Sequence, residues 1–189
     1  IQKVQSDTSK FTAHIRSILQ FVHSVENIPT KKFDFKWKFY SEDDHGSVPL
    51  IAEYDGLRWI FSWYKFKELD QIISSAKDLT TEELINPIIS HYEIISSKYK
   101  TKVFPPEMMI NQIGYYLLHE KMPEKASAFF ELNIKNYPNS SNVYDSRGDC
   151  YLAENDSLKA LEFFKKALNL EDLEIYRDKI KELEKNLKK

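Results

Sequence analysis

Glycine is scarce in this chain: four residues in 189, at positions 46, 56, 114 and 148. None brackets a serine in the Gly-x-Ser-x-Gly manner of a nucleophile elbow, and no two are close enough to cradle a phosphate as Rossmann and P-loop turns do. Cysteine is scarcer still. The lone Cys150 excludes an internal disulfide and cannot by itself build a thiolate zinc site; beside Tyr151 it reads as a small buried apolar residue. No apolar run reaches the ~18 residues of a membrane span, so none is expected. Charge of one sign is missing as well: 27 basic residues stand against 29 acidic ones, a formal net charge of −2, and nothing forms the basic stripe that nucleic acid binding needs. His14 and His23 do not form an i, i+4 pair, and His91 and His119 have no histidine or carboxylate at ligand spacing. No metal centre and no cofactor is expected.

What is present is apolar periodicity. Hydrophobic residues make up 42% of the chain and aromatic residues 14%, enough to build real cores. Across residues 7–27, Phe11, Ile15, Ile18, Leu19, Val22 and Val25 share one helical face, and Pro29 ends the segment. Over residues 33–40 the period changes to two. Phe33, Phe35, Trp37 and Phe39 alternate with Asp34, Lys36 and Lys38, which predicts an edge strand with one wet face. From 48 to 65, Leu50, Tyr54, Leu57, Phe61 and Tyr64 return to helical spacing. A lone strand cannot satisfy its own backbone, so this helix-strand-helix segment needs a sheet from elsewhere. An edge-paired or domain-swapped homodimer is one expected way to supply it.

Beyond residue 66 no strand is predicted. Thr80-Thr81-Glu82-Glu83 reads as a capping box, and Asn86-Pro87 as a second helix start that carries Ile88, Tyr92, Ile95 and Tyr99 inward. Residues 100–106 read as a loop in which Pro105-Pro106 stops one helix and starts the next. The sequence then repeats. Gly114 matches Gly148, Ala126 matches Ala160, and Phe129-Phe130 match Phe163-Phe164, each at an offset of 34, the tetratricopeptide period. A first repeat starts at Glu107 and closes at Pro138; a second starts at Ser141 and supplies Gly148, Tyr151, Ala160, Phe164 and Ala167. Small residues let paired helices cross closely, and the aromatics fill the gaps between neighbours. Leu173, Tyr176, Ile180, Leu183 and Leu187 form the stripe of a last helix that would cap one end, and the helix from Ile88 would cover the other. Asn111, Tyr115, Asn142 and Asp145 on the first helices are candidate polar contacts for a peptide or protein ligand.

The expected fold is therefore mainly α. Tetratricopeptide-like hairpins, an α-α superhelix, occupy residues 105–189 with their capping helix. A helical linker spans 67–104, and a helix-strand-helix portion fills 1–66.

His45 sits in Glu42-Asp43-Asp44-His45-Gly46, on the predicted strand-to-helix loop. It reads as a general base or, more plainly, as an exposed loop histidine beside three carboxylates. The run Glu42-Asp43-Asp44-His45-Gly46-Ser47-Val48-Pro49-Leu50, followed by Tyr54-Asp55-Gly56-Leu57-Arg58 and Ile60-Phe61, resembles the end of an esterase family of α/β hydrolases. The relatives in question are the enterochelin-esterase-like and esterase D-like serine hydrolases, above all those with a C-terminal tetratricopeptide extension. Pro105-Pro106-Glu107, Asn111, Gly114-Tyr115, Tyr137-Pro138-Asn139-Ser140 and Val143-Tyr144-Asp145-Ser146 resemble phrases of that extension.

The resemblance implies that residues 1–66 end an α/β-hydrolase domain and that His45 is the base of a Ser-His-acid triad. The chain order of such triads then puts the nucleophile upstream, together with the oxyanion hole. Ser47 follows the histidine too closely to be its nucleophile, and Asp7 is the only local candidate for the acid. On this reading the chain, opening at Ile1, is the C-terminal part of a larger carboxylic ester hydrolase. By itself it would be inactive, with the upstream catalytic domain as its partner. The alternative is a non-catalytic tetratricopeptide-like interaction module.

Overall fold

A computed structural model of the protein describes residues 4, 6–29, 33–44 and 46–188. Among the described residues there are nine α-helices and no strand, so the chain is mainly helical. No helix among them is long and apolar enough to cross a membrane. The chain divides into two units, residues 1–60 and 61–189.

In the first unit a 3-10 turn at Lys10–Thr12 leads into α1 (Ala13–Glu26), and α2 follows at Val48–Ile60. Of the apolar stripe expected over residues 7–27, only Val22 and Val25 are buried; Phe11 and Ile18 face solvent, as does Phe21 outside the stripe. Helix α2 buries no residue at all, and it ends at Ile60 rather than at 65. The edge strand expected at 33–40 does not form. Its alternation is real, but a strand exists only through a ladder, and no second strand among the described residues offers one. Side chains make its connections instead. Trp37 Nε1 donates to Glu26 Oε1 at 3.0 Å, Phe21 and Phe35 meet edge to face, and Lys38 Nζ and Tyr40 Oη converge on Asp55 Oδ2 at 2.5 and 2.9 Å.

The second unit is a run of helices: α3 (Leu69–Ser74), α4 (Thr81–Tyr99), α5 (Glu107–His119), α6 (Pro123–Asn136), α7 (Ser141–Ala153), α8 (Ser157–Leu170) and α9 (Glu174–Leu187). The capping box at the start of α4 is made. Thr80 Oγ1 accepts Glu83 N–H at 3.2 Å while Glu83 Oε2 accepts Thr80 N–H at 2.7 Å. Asn86-Pro87 is not a second start, because α4 runs through it. Proline removes one intrahelical hydrogen bond, but Leu84, Ile88 and Ile95 on either side are buried on one face, and their packing holds the helix together. Lys100, at φ 54°, ends it in the left-handed conformation.

Helix α5 pairs with α6 and α7 with α8; α6 in turn contacts α7, and α9 lies on α8. The helix starts at Glu107 and Ser141 fall where the repeat places them. Gly114 and Gly148 show why the repeat needs glycine. A Cβ on either would come within 2.5 Å of Cε1 of Phe130 or Phe164, respectively, so each ring lies directly against the backbone of its partner helix. Leu84, Ile88, Ile110, Leu117, Phe129 and Phe130 are fully buried in the main core, and each contributes on the order of 1.5–3 kcal/mol by leaving water. Residues 67–104 share that core through Leu69, Ile72, Ala76 and α4. Lys125 of α6 also donates to the carbonyls of Ala76 and Leu79 at 2.7 and 2.6 Å, which ties the segment before α4 to the repeats.

Candidate functional site

His45 lies outside the described residues. Its described neighbours are joined by hydrogen bonds. Asp44 Oδ1 accepts Gly46 N–H at 2.7 Å and Ser47 N–H at 3.2 Å, Ser47 Oγ accepts Asp44 N–H at 3.1 Å, and Val48 N–H returns to Asp44 O at 2.9 Å. This is Asp in its turn-forming role, and it launches α2. The hydroxyl of Ser47 is thereby engaged in the turn. Asp7 is also occupied: Oδ1 accepts Ser9 N–H at 2.7 Å and Oδ2 the Ser9 hydroxyl at 3.0 Å. These bonds, the backbone one first, hold Asp7 below the usual carboxylate range.

Two of the four polar candidates of the repeats, Tyr115 and Asp145, belong to one ladder across α5, α7 and α9. Tyr115 Oη donates to Asp149 Oδ2 at 2.7 Å, and Lys179 Nζ reaches both Asp145 (2.8 and 3.0 Å) and Asp149 (2.8 and 2.9 Å). Tyr115–Asp149 and Asp145–Lys179 are each separated by 34 residues, so they join equivalent positions of successive helices. Burial pushes the Tyr115 phenol up. It also raises Asp145, outweighing the pull of Lys179. Lys179 would be depressed by burial, yet its bonds to the two aspartates hold it above its ordinary value. Asn142 Nδ2 donates to Glu107 Oε1 at 2.9 Å, an oxygen shared with Ser140 Oγ. Tyr115, Asn142 and Asp145 are thus consumed by contacts between helices. Asn111 differs: it is buried, and its Oδ1 has no partner.

Lys179 was not singled out from sequence, although its offset of 34 from Asp145 carries the signal. The remaining candidates have ordinary surroundings. His91 stacks on Phe66 and lies 3.1 Å from Tyr64 O, and His119 is exposed beside Glu120. The Cys150 thiol is pushed up to about 12, chiefly by burial, and packs as a neutral group. Among the described residues no three His, Cys, Asp or Glu side chains are grouped to hold a metal ion. Compared with protein families and with curated proteins, the chain matches no family model and no curated sequence.

Proposed function

We propose that this chain is the tail of a carboxylic ester hydrolase, in which His45 is the triad base and the helical unit is a tetratricopeptide-like extension. The observation that carries this reading is the bare apolar surface beside the His45 motif. On α2, Leu50, Tyr54 and Leu57 recur at helical spacing and are exposed; Phe11 in the 3-10 turn and Ile18 and Phe21 on α1 are exposed too. Stripes of that kind belong to helices seated on a partner surface, and in an α/β hydrolase that surface is the sheet bearing the nucleophile. The Asp44 contacts support the reading further, since they tie Gly46 and Ser47 to Asp44 at the start of α2.

The longer protein is expected to react with a fluorophosphonate probe and to cleave p-nitrophenyl acetate, with His45→Ala abolishing both. Unchanged turnover in that variant would sink the proposal.

A second reading is a protein-binding role for the repeats, where Met108 and Tyr116 of α5 are exposed. If the catalytic domain of the same protein is that partner, chemical crosslinking should join it to lysines of α5 to α9. Crosslinks confined to the repeats themselves would count against this role.

A further inference from the structure

The loop between α4 and α5 closes one side of a cavity of about 270 Å³, near the small end of ligand-sized cavities, roughly 300–1,000 Å³. Its apolar lining comes from Ile89 of α4, Val103 and Phe104 of the loop, and Leu132 of α6. Its polar lining is Glu93, Lys102, Lys135 and Asn136. Asn136 Nδ2 is buried and donates to nothing. Among the described residues, Glu93 and Lys135 have no ionic partner, and Lys102 rests over the Phe104 ring with its Nζ 5.6 Å from the centroid.

The loop is fixed before any ligand arrives. Ser96 Oγ accepts Val103 N–H at 2.9 Å and lies 3.1 Å from Val103 O, Tyr137 Oη donates to Pro105 O at 2.9 Å, and Phe104 meets Tyr137 edge to face. Rigid walls of this kind lower the ordering cost of binding.

We propose that this cavity binds a small monocarboxylic acid with an aliphatic or aromatic body. A carboxylate is acceptor-only, and the residues lining the cavity include two lysines, Lys102 and Lys135, able to donate to it. Two lysines against one glutamate leave a single net positive charge, which suits a monoanion rather than a phosphate dianion. The apolar body of the ligand would cover Ile89, Val103 and Leu132. The site needs neither His45 nor a catalytic domain, so it stands or falls independently of the hydrolase reading.

The test is a titration of the isotopically labelled 189-residue chain with phenylacetate and hexanoate, followed by amide NMR. Saturable shifts are expected at Val103, Phe104 and Lys135, while 2-phenylethanol binds at least about tenfold more weakly. The double substitution K102Q/K135Q should weaken phenylacetate by about tenfold. No saturable shift with either acid up to about 10 mM would overturn the proposal. Equal binding of the alcohol, or shifts centred on the α5–α7–α9 ladder, would overturn it too. The unsubstituted chain decides the question even if a variant fails to fold.

Discussion

Gly114 and Phe130 are in direct contact: the ring of Phe130 occupies the space where any side chain at position 114 would begin, 2.5 Å from its Cβ. Phe130 is fully buried, so its ring has nowhere to retreat. Gly114→Ala gains about 1 kcal/mol of helix propensity but overpacks the crossing at a cost of about 1–3 kcal/mol. The severity of the contact puts the cost at the upper end. Urea denaturation should show a net loss of about 1–2 kcal/mol, relieved in the double variant with Phe130→Leu. Gly56→Ala is the control, since a Cβ there meets nothing within 4 Å, and that variant should be neutral or slightly stabilising.

Phe129 and Phe163 occupy the same repeat position but not the same surroundings. Phe129 is fully buried in the main core, while Phe163 is half-buried against Tyr144, Tyr151 and Lys166. Phe129→Ala should cost about 3–5 kcal/mol. Phe163→Ala should cost less than half as much in the same unfolding assay.

Lys179 neutralises two carboxylates that otherwise face each other. Its side chain and those of Asp145 and Asp149 are 26%, 12% and 25% exposed, so screening by water is limited. Lys179→Met should destabilise the chain by about 2–3 kcal/mol near neutral pH. Because burial raises Asp145 above its ordinary 3.8, this residue favours the fold at acid pH, and that contribution is lost as pH rises from 3.8 through its folded value. The deficit of Lys179→Met should therefore shrink on acidification. Adding Asp145→Asn should recover part of it at neutral pH, which thermal melts at several pH values will read.

The capping box gives the opposite sign. Glu83 is held below its ordinary 4.5 first by the Thr80 backbone N–H, so its contribution is present above 4.5 and is lost as pH falls through the lower folded value. Glu83→Gln should flatten this part of the acid limb of a stability–pH curve. Thr80→Ala should cost about 1 kcal/mol in denaturant titrations, at neutral pH.

Hydrogen exchange should separate the two units. The amides of α1 and α2, on helices that bury only Val22 and Val25 between them, are expected to exchange far faster than those of α5 to α8. Comparable protection in both would contradict the view that the first unit lacks its seat.

The sequence alone determined the parts of this fold that rest on local chemistry or on repetition. Thr80 and Glu83 specify a helix start whatever surrounds them. Pro106 before Glu107 restarts the chain, and the offset of 34 pairs Gly114 with Gly148 and Phe130 with Phe164, because a glycine crossing and its aromatic filler must change together. Tertiary structure decided what depends on neighbours. The alternation at 33–40 could not reveal that no strand among the described residues lies beside it, since a ladder is a property of two segments. Asn86-Pro87 carries the signal of a helix start, yet Leu84 and Ile88 are buried together and carry α4 through it. Phe129 and Phe163 have the same place in the repeat, and only the position of each helix in the stack made one a core residue and the other a partly exposed one. The free amide of Asn136 belongs to this second kind as well: whether a polar group finds a partner is settled by the packed structure around it, never by its own place in the chain.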